Sequence, residues 1–134
     1  MNEQVLLIMD DDSNLLLLLH EYFTKIFKKK NVNFKIICAE KGETLLNKLN
    51  DEMKFFSFNE KIIALLDLTI VNGMGGIETA KNLQRINKNI EIYGMTGDES
   101  YLNDKNVKLI FKKLFLKPLF FYEIEKIIIK NEIH

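Results

Sequence analysis

Five short apolar runs punctuate the chain, and the residues between them carry apolar positions at a different spacing. Val5-Leu6-Leu7-Ile8-Met9 is the first run and Ile62-Ile63-Ala64-Leu65-Leu66 the third. Near-continuous apolar runs of this length read as strands buried on both faces. Similar stretches lie at about Asn33 to Cys38, Ile90 to Met95 and Lys113 to Leu116. Between them the spacing turns helical. A first helix is predicted from Ser13 to Lys29, with Asp12 or Ser13 as a natural N-cap. Its five consecutive leucines, Leu15 to Leu19, break a clean stripe and predict burial on more than one side. A second helix, about Glu43 to Glu52, turns Leu45, Leu46 and Leu49 inward. Phe55-Phe56-Ser57-Phe58 either prolongs it or packs as a connector. A third helix follows from about Gly76 to Asn87, after the Gly-rich loop Asn72-Gly73-Met74-Gly75-Gly76. A fourth falls between Asp98 and Ile110. The fifth opens at Pro118, where proline costs little, and runs to about Lys130 with Phe121, Ile124, Ile127 and Ile128 inward.

Five strand–helix units without internal repeats or linkers predict one doubly wound α/β domain over residues 1–134. Right-handed crossovers leave few topologies. The flavodoxin-like parallel order 2-1-3-4-5 is taken from known sheets of this kind rather than from the spacing. Such sheets place their ligands at the carboxyl ends of the strands. The first run closes on Asp10-Asp11-Asp12 and the third on Asp67, so the acids are expected to meet at one edge. Two carboxylates 4 Å apart repel by roughly 4 kcal/mol at an effective dielectric near 20. An acid cluster of that kind suits a hard divalent cation.

Composition narrows the function classes. Lys plus Arg total 19 and Asp plus Glu total 19 in 134 residues. That balance argues against a dedicated nucleic-acid binder, and Lys28-Lys29-Lys30 reads as a solvated helix end. The single cysteine, Cys38, excludes an intrachain disulfide and fits a reducing, cytoplasmic compartment. It reads as a small buried hydrophobe. Met1-Asn2-Glu3-Gln4 has no basic lead into a long apolar core. No apolar run nears the roughly 20 residues that span a bilayer, so no membrane insertion is expected.

In this order and spacing, the chain resembles the receiver domain of two-component response regulators over essentially its whole length. Asp10 and Asp11 stand at the family's acidic pair after strand one, and Asp67 at its phosphoacceptor after strand three. Thr96 takes the place of the hydroxyl residue after strand four, and Lys117-Pro118 that of the Lys-Pro after strand five. The stretch Asp67 to Gly76 is similar to a subset with one extra loop residue, often attached to hybrid sensor kinases. Two positions depart from the pattern. Val71 replaces the usual proline after strand three, which suggests a less rigid loop, and Leu114 replaces the switch aromatic. Phe115 is adjacent but should point to the other sheet face.

The resemblance implies that Asp67 accepts a phosphoryl group from a phosphohistidine. It implies Mg²⁺ held by Asp10, Asp11, Asp67 and the backbone carbonyl of Thr69, with Asp12 left to cap a helix. Thr96 and the Gly97 N–H would bond phosphoryl oxygens. Lys117 would pair with Asp67 at rest and with the phosphoryl group afterwards, across a Lys117–Pro118 bond that the family makes cis. Thr69 and Asp98 are expected to govern water access, and His20 to be structural. The implied partners are a sensor histidine kinase or histidine phosphotransfer protein and a downstream protein target, without direct DNA binding; a homodimer is allowed. With no output domain in the sequence, signalling is expected through protein contacts, or the chain is a piece of a hybrid histidine kinase. The domain would be no enzyme beyond its own phosphorylation and dephosphorylation.

Two alternatives carry different chemistry. One is a degenerate receiver that only docks, its switch lost with the aromatic. The other is a haloacid-dehalogenase-type phosphatase, with Asp10-x-Asp12 as its signature. Asn14 stands where that family wants Thr or Val, and Asp67 would have no task.

Overall fold

The computed structural model describes residues 4–54 and 61–129. The Phe55 to Phe58 segment and the expected end of the last helix at Lys130 lie outside them. Strands β1 (Gln4–Met9), β2 (Phe34–Ala39), β3 (Ile62–Asp67), β4 (Glu91–Thr96) and β5 (Lys113–Leu116) form one sheet in the order β2-β1-β3-β4-β5. All neighbours are parallel. The register sets Met9 beside Leu66, and Asp67 beside Met95, so the residues after β1, β3 and β4 emerge together.

The strands read as continuous apolar runs because both sheet faces are covered. Helices α1 (Ser13–Lys29) and α5 (Phe121–Ile128) supply Leu19, Phe23, Phe27, Ile124 and Ile128 to the core that holds Leu6 and Ile8. Helices α2 (Gly42–Glu52), α3 (Gly76–Ile86) and α4 (Lys105–Ile110) supply Leu45, Leu49, Ala80, Leu83 and Val107 to the core that holds Val5, Leu7 and Met9. The two-residue alternation of a strand thus feeds two cores. Burying a side chain such as Phe23 or Leu7 stabilises the fold by roughly 1.5–3 kcal/mol each.

Two expectations are corrected, and the fourth helix, expected within Asp98 to Ile110 at a length the sequence left open, is defined. The leucine run is not buried on several sides: Leu19 is fully buried, but Leu17 and Leu18 are 58% and 54% exposed. At 3.6 residues per turn, five consecutive side chains sweep past the whole circumference, and α1 packs only one face. The fourth helix is split. A 3-10 turn at Glu99–Asn103 is capped by Asp98, and α4 starts afresh because Asp104 accepts from the N–H groups of Asn106 and Val107 at 2.9 and 3.1 Å. The last helix begins at Phe121 rather than at Pro118. The Lys117 N–H still donates to the Thr96 carbonyl at 2.8 Å, so the chain runs beside β4 there and must turn before coiling.

The start of α1 is as expected. The Asp12 carboxylate accepts from the Asn14 and Leu15 N–H groups at 3.1 and 3.3 Å. The first and last helices are also clasped. Glu125, only 5% exposed, accepts from the Tyr22 hydroxyl and lies 3.5 Å from the Lys30 ammonium. At the β2 edge, the Lys48 ammonium donates to the Cys38 carbonyl at 2.7 Å. Cys38 is half-buried rather than buried. Burial pushes its thiol up to about 11 against the pull of Lys48. No helix among the described residues is long and apolar enough to cross a membrane.

Candidate functional site

The strand ends place the acids. Asp10 leaves β1 fully buried, Asp67 closes β3 at 4% exposure, and Asp11 is exposed at the rim. One carboxylate oxygen from each of Asp10, Asp11 and Asp67 lies within 4.8 Å of the others. The grouping expected from the sequence is therefore present. Asp12 stands apart from it, because its carboxylate is spent on the α1 cap. That removes the second acid on which the phosphatase alternative depends.

Lys117 reaches into the cluster from the end of β5. Its ammonium is 3.2 Å from Asp67 Oδ2, as expected, and 2.7 Å from Asp10 Oδ2, which the sequence did not suggest. Asp10 Oδ2 has no well-aligned hydrogen-bond partner among the described residues, so this lysine is its close counter-charge. Asp10 Oδ1 accepts the Asp12 N–H at 2.9 Å. Burial lowers the Lys117 pKa, but Asp10 and then Asp67 more than reverse that, and the ammonium is held above its ordinary value. Asp67 is also pushed up, first by burial and then by the charge on Asp10; the Thr69 N–H and Lys117 offset only part of this. Two buried carboxylates thus share one ammonium, which cannot fully offset their burial and mutual repulsion.

The loop after β3 is fastened by several bonds. Asp67 Oδ1 accepts the Thr69 N–H at 3.1 Å, and Asp11 Oδ2 accepts the Val71 N–H at 3.2 Å. Glu43 Oε1, at the start of α2, accepts the Met74 N–H at 2.7 Å. The Gly42 N–H donates to the Met74 carbonyl at 2.9 Å. Neither α2 contact was legible, since Glu43 and Met74 are 31 residues apart. At Gly76 a Cβ would lie 2.6 Å from the Asp67 carbonyl oxygen, so helix α3 approaches the end of β3 more closely than any side chain allows.

The other expected residues fall around the same edge. Thr96, 1% exposed, ends β4, and its hydroxyl oxygen accepts the Asp98 N–H at 3.0 Å. The hydroxyl proton stays available to donate. A Cβ at Gly97 would meet nothing within 4 Å, so packing does not demand glycine there. The Asp98 carboxylate is held low by Ser100, whose N–H it accepts at 3.0 Å, and it serves as a cap. Thr69 is exposed, and Lys117–Pro118 is cis. His20 is exposed, so no burial backs the structural role expected of it. Leu114 packs toward the core of Val5 and Leu7, whereas Phe115 lies in the opposite core with Tyr93. A Cβ on Gly94 would lie 2.4 Å from Leu114 Cδ2, so leucine occupies the space beside this strand.

No protein-family model matches the chain, and no curated protein matches it. Solved structures do. The response regulator TrrA of Thermotoga maritima, in complex with Mg²⁺-BeF, is 23% identical over 95% of this chain and 97% of its own, at a TM-score of 0.74. CheY from a CheX-CheY-BeF3-Mg²⁺ complex of Borrelia burgdorferi is matched at 20% identity over 99% and 92%, with a TM-score of 0.70. A CheY-like receiver domain protein of Methanospirillum hungatei is 19% identical over 98% and 94%, with a TM-score of 0.67. The chain therefore has the flavodoxin-like fold of the CheY-type receiver domains.

Proposed function

We propose that this chain is a phosphoacceptor receiver domain that takes a phosphoryl group from a phosphohistidine onto Asp67. The observation that carries the reading is the convergence of Asp10, Asp11 and Asp67 within 4.8 Å, with Lys117 contacting two of them. An Asp67 carboxylate oxygen attacks phosphorus, the phosphorus–nitrogen bond breaks, and the imidazole leaves with the electron pair to take up a proton. Such transfer needs mainly alignment and charge neutralisation. Lys117 can pass from the Asp67 carboxylate to the phosphoryl oxygens, as a point charge on a flexible stem. Thr96 has a hydroxyl proton to donate, and Gly97 carries no side chain that would keep a phosphoryl oxygen from its backbone N–H.

The pocket also fits Mg²⁺. Three carboxylates against one ammonium leave the cluster negative, and Asp10 Oδ2 lacks a well-aligned donor. Asp10, Asp11 and Asp67, with the Thr69 carbonyl, would hold the ion. When bound, it would neutralise charge on the phosphoryl oxygens. The likeness to proteins solved with Mg²⁺ and BeF supports the same reading.

The implied donor is a sensor histidine kinase or histidine phosphotransfer protein, and the output a protein contact. With Leu114 at the switch position, that output does not run through rotation of an aromatic ring there. The same residue is what favours the second reading, a receiver that docks without switching. Acetyl phosphate with Mg²⁺ tests the proposal: mass spectrometry should show one phosphate on the wild type and none on Asp67→Ala. Equal uptake by the variant would remove Asp67 from the acceptor role.

A further inference from the structure

We infer that Glu43 is a positioning residue for the pocket, presetting the β3–α3 loop that carries its backbone ligand. The inference rests on the receiver reading above and concerns a residue outside the acid cluster. The loop holds Thr69, Val71 and Met74, and Val71 is 79% exposed. Packing of its outer part is therefore weak, and polar contacts must fix its path. Two carboxylates do so, one from the end of β1 and one from the start of α2. Asp11 Oδ2 takes the Val71 N–H at 3.2 Å, and Glu43 Oε1 takes the Met74 N–H at 2.7 Å.

The two anchors are not equivalent. Asp11 is a proposed metal ligand, so its charge is shared with the ion when the ion binds. Glu43 lies outside the acid cluster, so its charge is not shared with the ion. The Met74 peptide is gripped at both ends, because the Gly42 N–H donates to the Met74 carbonyl at 2.9 Å. The fit is close. A Cβ at Gly42 would lie 2.9 Å from Met74 Cβ, and one at Gly73 would lie 3.1 Å from Glu43 Oε1. The start of α2 is thus moulded onto the loop. The carboxylate is held below its ordinary range by its own N–H and that of Met74, so it accepts as an anion at neutral pH. A loop held in place before the ion arrives loses less freedom on binding.

The test separates the bond from the charge. Mg²⁺ affinity of the full chain is measured by NMR titration for the wild type, Glu43→Ala and Glu43→Gln. Circular dichroism confirms that each variant folds, and hydrogen exchange is followed at Met74 and Val71. Gln keeps an acceptor oxygen but not the negative charge. Glu43→Ala should weaken Mg²⁺ binding about threefold and speed exchange at Met74, while Glu43→Gln should stay within about 1.5-fold of wild type. Equal loss in both variants would assign the effect to charge alone and overturn the positioning role. An unchanged Glu43→Ala would overturn it as well. A wild type that binds no Mg²⁺ would instead overturn the receiver reading, and with it this inference.

Discussion

Replacing Lys117 with methionine removes the ammonium while keeping most of the aliphatic stem, which isolates the charge. In the wild type that ammonium lies 2.7 Å from Asp10 Oδ2 and 3.2 Å from Asp67 Oδ2. At an effective dielectric near 20 these contacts are worth roughly 6 and roughly 5 kcal/mol before desolvation. The carboxylates oppose each other across at most 4.8 Å, a repulsion of roughly 3.5 kcal/mol or more per ionised pair on the same scale. Without the lysine only the repulsion and the burial of Asp10 remain. Breaking a fully buried pair costs about 3–5 kcal/mol. The Lys117 side chain is 26% exposed, so water takes part of its place, and proton uptake by Asp67 relieves more. We expect a loss of about 2 kcal/mol, near 8 °C in Tm for a chain of this size. Urea and thermal unfolding at pH 7.5, with and without millimolar Mg²⁺, provide the assay. Because the ion supplies the missing charge, Mg²⁺ should raise the Tm of Lys117→Met by more than that of the wild type. A metal-free Lys117→Met within 0.5 kcal/mol of wild type, or equal Mg²⁺ shifts, would refute the electrostatic account.

Two further perturbations probe the frame around the pocket. Burial, reinforced by the Glu125 carboxylate, pushes the Tyr22 hydroxyl up to about 12. The folded state then keeps a proton that the unfolded chain loses near pH 10, so stability should fall as pH rises from 10 through 12. Absorbance at 295 nm should show Tyr22 titrating late alongside the buried Tyr93, which burial and Glu91 also push up, and Glu125→Gln should bring only Tyr22 forward; unchanged titration would dismiss the contact. Gly76→Ala drives a methyl to 2.6 Å from the Asp67 carbonyl oxygen, which cannot move without displacing the acceptor. The expected cost is about 1–3 kcal/mol, with slower phosphorylation by acetyl phosphate; wild-type stability and rate would show the close approach to be dispensable.

Strand content and the meeting of Asp10 with Asp67 were legible because each is written locally, whereas the sheet order came from known sheets of this kind. An apolar run names a buried strand, and an acid at its end marks the sheet edge. What stayed hidden depends on pairings across the chain. The sequence joined Lys117 to Asp67 through the family pattern, but the closer approach to Asp10 follows from the depth of the lysine in the pocket. Leu15 to Leu19 gave no sign of which residues face water, because only the packing of α1 decides that. The break at Asp104 was in plain view as a capping side chain, yet nothing local ranks it above helix continuation. The Glu43–Met74 bond had no signal at all beyond an acid in a first helical turn.

The clasp of Tyr22, Lys30 and Glu125 carries a consequence for synthesis. Its partners, like Phe23 and Ile124 in the core beneath, come from the first and last helices of the fold, with Tyr22 and Glu125 103 positions apart. As the protein leaves the ribosome, the oily side of α1 has no α5 companion until about a hundred further residues have been made. Closure of that layer therefore waits for α5, and interactions so distant in sequence are slow to form. A nascent chain stalled before α5 would expose a hydrophobic face of the kind that chaperones recognise.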